Sequence, residues 1–213
     1  MRTKLRAVYL CGVRVPCAKL NSEGLAPEQW STEADRAALE LNAPLAMARF
    51  PGPAPEGWIV LPRGYARPVP VPPEALEKLT EDDHGAMRGL YGLFAGRYPG
   101  MLARENPEEW EERLAALPNP LGVFEGERLM LWLAEKDGEL LELSAAPDAL
   151  SRVPGSLAAV GIARAPAPIL GIPAEWMDET IKLRLVRPFN IPGARIETPE
   201  QLARALDGAV QWD

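Results

Sequence analysis

"GERLMLWLAEKDGELLELSA", residues 126–145, holds two apolar runs joined by Asp137-Gly138. Asp-Gly tolerates the positive φ values of a primed turn, so the stretch predicts a β-hairpin. Two strands in succession with no helix between them favour an α+β chain over a doubly wound sheet. The residues upstream agree, because there the pattern is helical. Thr80 and Asp83 have capping-box spacing, and Met87, Leu90, Tyr91 and Phe94 then form one apolar stripe. "NPEEWEERLAAL" predicts a second helix, with Asn106 as cap, Pro107 in the first position, and Trp110, Leu114 and Leu117 facing inward.

Further out, residues 5–19, "WIVLP", "SLAAVGIARA", "TIKLRLV" and "AVQW" read as strands. "APEQWSTEADRAALEL", with Pro27 in its first turn, and "TPEQLARAL", capped by Thr198, read as helices. The expectation is a single compact α+β domain over residues 1–213. Its helices are segregated and its sheet is mainly antiparallel, with a hairpin near residues 128–144. "PVPVPP" is held extended because proline restricts both itself and its predecessor. The proline-rich stretch 51–73 is therefore the candidate sub-boundary.

Composition narrows the class. The chain has 213 residues, 47% hydrophobic and 25% charged, and no apolar run of membrane-spanning length. The basic-then-apolar N-terminus is interrupted by Gly12, Arg14 and Pro16, which argues against a secretion signal and for a cytoplasmic location. No membrane partner is expected. Eighteen arginines against five lysines, with 23 prolines, resemble thermophile usage. A net charge of -7 argues against coating of duplex DNA by bulk electrostatics but leaves room for a local basic surface.

The sites are few. Read as one extended strand, Cys11 and Cys17 share a face but lie about 20 Å apart, too far for a disulfide without a turn. With one histidine in the chain, a zinc site lacks ligands, so the cysteines are assigned to core packing. No metal and no cofactor is expected. Asp82, Asp83 and His84 put two carboxylates beside an imidazole, a weak candidate for catalysis; acidic residues also belong in the first turn of a helix. "DETIK" offers Asp178, Glu179 and Lys182, but Glu179 and Lys182 would point to opposite faces of a strand, against a nuclease motif.

The remaining candidates are basic. In "TIKLRLVRPFNIPGARI", Lys182 and Arg184 are expected to face outward together, followed by Arg187, Phe189 and Arg195. "LPRGYARP" adds Arg63, Tyr65 and Arg67. Arginine beside an exposed aromatic suits phosphate contact and base stacking, making these eight residues the candidate nucleic-acid contacts. Trp212, next to the C-terminus, is a candidate docking residue. Together these features predict a non-catalytic binding subunit or accessory factor. It would have a protein partner in a larger protein or nucleoprotein assembly and contact single-stranded nucleic acid. The alternatives are a metal-dependent phosphoester hydrolase using Asp82, Asp83 and His84, and a structural component of virion type.

Overall fold

A computed structural model describes residues 3–21, 25–26, 29–61, 63–104 and 106–206. In chain order it opens with β1 (Lys4–Leu10), β2 (Val13–Lys19), α1 (Trp30–Glu40), β3 (Leu45–Arg49), β4 (Trp58–Val60) and β5 (Arg63–Ala66). Next come β6 (Glu77–Lys78), α2 (His84–Ala95), β7 (Leu102–Ala103), α3 (Pro107–Ala116), β8 (Leu121–Glu125), β9 (Arg128–Lys136) and β10 (Glu139–Ala145). The rest is α4 (Val153–Ala159), β11 (Ala165–Pro166), α5 (Ala167–Leu170), β12 (Trp176–Asp178), β13 (Ile181–Leu185), β14 (Phe189–Ile191), β15 (Ala194–Ile196) and α6 (Pro199–Ala205). The architecture is α+β with mainly antiparallel pairing, as the sequence predicts.

The described residues cluster into two compact units interleaved along the chain. The first takes the chain up to Arg63, Gly96–Ala103, and the residues from Met177 onward; the second takes Gly64–Ala95 and Arg104–Trp176. One crossing from the first unit to the second falls inside the proline-rich stretch 51–73.

In the first unit six strands pair in the order β4-β13-β3-β2-β1-β7. The β2–β3 pair is parallel, and α1 makes the crossover between them. One face buries Val8, Leu10, Val15, Cys17, Leu45, Met47 and Leu183 together with Leu202 of α6. On the other face Ala18, Ala46 and Ala48 meet Ala34, Ala37 and Ala38 of α1. Neighbouring strand residues alternate between the faces, and the alanines let α1 approach the sheet closely.

Residues 5–19, expected as one strand, are instead a hairpin: Leu10 pairs with Val13 across a turn at Cys11 and Gly12. Both turn residues have positive φ, 48° and 75°. Gly12 adopts that region without steric cost, and the two-residue loop fits the strand twist. The turn changes the parity of the inward set to Val8 and Leu10 on β1 and Val15 and Cys17 on β2. Cys11 is therefore exposed at the turn and Cys17 buried, not on one shared face.

The second unit holds the sheet β10-β9-β8-β6. Asp137 (φ 53°) and Gly138 (φ 79°) make the predicted hairpin turn between β9 and β10. Helix α2 packs on these two strands and buries Met87, Leu90, Tyr91 and Phe94. Trp132 of β9 is fully buried and donates its indole N–H to the Met87 carbonyl at 3.2 Å. Asn106 caps α3, accepting from the Glu108 N–H at 3.0 Å, and Trp110 meets Tyr91 edge-on with centroids 5.0 Å apart.

"SLAAVGIARA", expected as a strand, begins inside α4 instead. Pro154 opens that helix, its leucine and alanines favour it, and Gly161 (φ 71°) follows its end. Pro27, "AVQW" and Trp212 lie outside the described residues. No helix among the described residues is long and apolar enough to cross a membrane.

Candidate functional site

The predicted basic residues of the first unit are engaged within their own fold. Lys182, expected to face outward, is 1% exposed. Strand β13 lies inside the sheet between β4 and β3, and on its second face the Lys182 side chain lies against Phe50. The Lys182 ammonium donates to the Phe50 carbonyl at 3.0 Å and to the Glu179 carbonyl, and lies 5.0 Å from the Phe50 ring centroid. Burial lowers its pKa below the ordinary 10.5, while the Glu179 charge opposes that shift.

Because the unfolded chain would still hold this proton where the folded chain has lost it, stability gained from residue 182 rises with pH between the lowered value and 10.5. We expect the stability difference between wild type and Lys182→Met to move toward wild type as pH climbs through that window. Urea denaturation at a series of pH values measures it, and a pH-independent difference would contradict it.

The other residues of that group are engaged within their own unit. Arg184 grips Asp35 of α1 through two bonds of 2.7 and 2.9 Å. Arg187 donates to the Asn42 carbonyl and side-chain oxygen at 2.7 and 2.6 Å. Phe189 packs on the apolar core, and Arg195 pairs with Glu197 at 3.1 Å. Arg63, 8% exposed, is ion-paired with Asp178, whose other oxygen accepts from Thr180. Tyr65 and Arg67 belong to the second unit.

Asp82, Asp83 and His84 lead into α2. Asp83 completes a capping box, accepting from the Thr80 N–H at 2.8 Å and from its hydroxyl at 3.1 Å. That carboxylate is spent on a helix end. Among the described residues no group of three His, Cys, Asp or Glu side chains is placed to hold a metal. Burial pushes the Cys17 thiol far above its ordinary pKa, so it is an inert core group.

Two features of the second unit were not singled out in the sequence. Glu142 is fully buried, ion-paired with Arg104 and bonded to Arg113 Nε at 2.6 Å. A bulge between Leu140 and Glu142 puts β10 out of simple alternation here. The Arg104 guanidinium also lies 4.5 Å from the Tyr91 centroid and 5.6 Å from that of Trp110. The signal was a lone glutamate in "LLELS".

The second feature is a groove of about 560 Å³, walled by the extended segment after β5, by α4 and its following loop, and by Trp176. Arg67 and Arg164 line it, and no carboxylate does. Arg67 sits 5.3 Å over the Trp176 ring and Arg164 5.9 Å over Tyr65. The signal in the sequence was the aromatic-arginine pairing of "LPRGYARP", but its partners, Arg164 and Trp176, are remote in the chain.

No family model matches the chain, and a search of curated proteins gives no match. Solved structures do match. One is a GCN5-related N-acetyltransferase from Anabaena variabilis (TM-score 0.58, 16% identity), similar over 87% of this chain and 59% of its own. Another is Eis1 from Mycobacterium abscessus (TM-score 0.56, 17% identity, 86% and 60%). A third is N-myristoyltransferase from Saccharomyces cerevisiae with bound myristoyl-CoA (TM-score 0.52, 10% identity, 86% and 62%).

The chain thus spans about three fifths of the length of these structures. The N-acetyltransferase and the N-myristoyltransferase are enzymes by name, which contradicts the expectation of a non-catalytic accessory subunit contacting nucleic acid; its hydrolase and virion alternatives gain no support from them. The expectation rests on a scarcity of reactive side chains, which by itself does not exclude catalysis. At this level of identity the likeness concerns architecture, and its result is plain: the chain has a fold similar to that of the GCN5-related N-acetyltransferases.

Proposed function

We propose that the chain is an acyl-CoA-dependent acyltransferase that moves an acyl group from the thioester to an amine. The observation that carries this reading is a shared fold over 85–92% of the chain with N-acetyltransferases and with N-myristoyltransferase bound to its acyl-CoA.

The chemistry fits a chain with one histidine and a buried, inert Cys17. A thioester arrives activated: the amine nitrogen bonds to the carbonyl carbon, the C–S bond breaks, and the thiol leaves with the amine's proton. The protein's task is then to bind, orient and exclude water, with no covalent intermediate of its own. Coenzyme A is a phosphate-bearing polyanion on an apolar-and-amide arm. In a chain of net charge -7, the groove with two guanidiniums and no lining carboxylate has the polarity to hold it. Arg67 and Arg164 are the residues that would meet its phosphates. A cytoplasmic location, where acyl-CoA is made, belongs to this reading.

Incubation of the intact chain with acetyl-CoA or myristoyl-CoA and a panel of primary amines tests it. Free thiol should appear at a rate that depends on both protein and amine. No release above the protein-free rate with either donor, together with no thermal stabilisation by coenzyme A, would overturn the proposal.

A further inference from the structure

We infer that the groove on the second unit takes the nucleotide end of the donor, a phosphorylated adenosine, and that the thioester reacts elsewhere. The inference rests on the acyltransferase reading and adds a division of labour to it. Its side chains are arginine, proline, alanine, valine, isoleucine and tryptophan. None of these is a nucleophile or a general base, so the groove can hold a ligand but cannot move its protons.

Its chemistry does suit a nucleotide. A volume of about 560 Å³ is within the range of small-molecule sites. Each guanidinium lies over an aromatic ring, which leaves its N–H edge available for a phosphate fork. Each is loosely paired with one exposed carboxylate: Glu175 is 3.6 Å from Arg67 and Glu139 is 3.8 Å from Arg164. Exposed pairs of this kind contribute little, and a phosphate dianion displaces them. Trp176, 36% exposed, supplies a flat surface for a base, and Val69, Ala158 and Ile162 supply apolar contact. Pro68, Pro70 and Pro154 fix the walls before binding, which lowers the ordering cost.

The test is calorimetric titration of the intact chain with coenzyme A, adenosine 3′,5′-bisphosphate, phosphopantetheine and an acidic peptide, with acyl-transfer kinetics on the same variants. The bisphosphate should bind and compete with coenzyme A, while phosphopantetheine should not compete with the bisphosphate. Arg67→Glu with Arg164→Glu should weaken both nucleotide ligands by at least about tenfold, because charge-assisted contacts are lost. Trp176→Ala should weaken them by about fivefold or more. All three side chains are on the surface, and unchanged melting curves would establish that the variants fold.

In turnover, the double charge reversal should raise KM for acyl-CoA and spare kcat. Unchanged affinity in the variants, a loss of kcat without a change in KM, or tighter binding of the acidic peptide would overturn the assignment. Turnover unaffected by the variants removes the groove assignment and leaves the transferase. Bisphosphate binding that depends on Arg67 and Arg164, without any turnover, does the reverse.

Discussion

Glu142→Ala is expected to lower the stability of the protein by about 3–5 kcal/mol, because it leaves two guanidiniums without their shared carboxylate in a dry interior. The side chain of Glu142 is 0% exposed, that of Arg104 is 7% and that of Arg113 is 25%. Arg113 has a further bond to the Leu141 carbonyl at 3.0 Å, so part of its desolvation is offset when Glu142 is removed. Arg104, with its side chain 7% exposed, lies deeper than Arg113 and bears more of the cost. Replacing all three residues by apolar side chains of similar volume should recover much of the loss, since the cost lies in the unpaired charge and not in the missing ion pair. Urea denaturation of the three proteins measures both effects. A single-variant loss under about 1 kcal/mol would mean that Glu142 is solvated in solution.

Trp132→Ala should cost a similar amount, about 3–5 kcal/mol, by a different route. It removes the largest fully buried side chain among the described residues and opens a cavity between β9 and α2. It also deletes the indole donor that reaches the Met87 carbonyl. Trp132→Phe separates the two effects, because it keeps most of the apolar volume and loses the hydrogen bond. Its cost should fall well below that of the alanine variant. Equal losses for the two would place the energy in the hydrogen bond and contradict the packing account.

The second unit was the more legible in sequence. Asp137-Gly138, the stripe from Met87 to Phe94, and the Asn106-Pro107 start of α3 each carry their cause within a few residues. The failures were non-local. Lys182 alternates like a surface residue, but β13 is an inner strand with Phe50 against the Lys182 side chain, and neither pairing order nor that remote partner is written in the strand itself. Cys11-Gly12 was missed as a turn because a cysteine with positive φ is unusual, and only Gly12 marked the position.

The candidate site was half legible. Tyr65 and Arg67 were singled out as an arginine-aromatic loop; Arg67 lines the groove, and Tyr65 lies under Arg164, which also lines it. Nucleic acid and a nucleotide-bearing carrier present the same phosphate and flat ring, so an arginine-aromatic loop in sequence does not separate the two. Arg164 was hidden in a segment misread as a strand, and Trp176 in a stretch with no strong pattern. The acyl-transfer reading was not accessible from the residues, since the reactive bond would belong to the donor. On the proposed reading, a search for nucleophiles and bases in the chain would look for chemistry in the wrong molecule.

The central claim is that an acyl group passes from a coenzyme A thioester to an amine on this chain. Mass spectrometry of the reaction with isotopically labelled acetyl-CoA and a primary amine follows that group directly. The account predicts labelled amide and free thiol in equal amounts, both absent without protein. Thiol release without labelled amide would mean hydrolysis instead of transfer, and labelled donor recovered intact would mean that the shared fold serves another purpose.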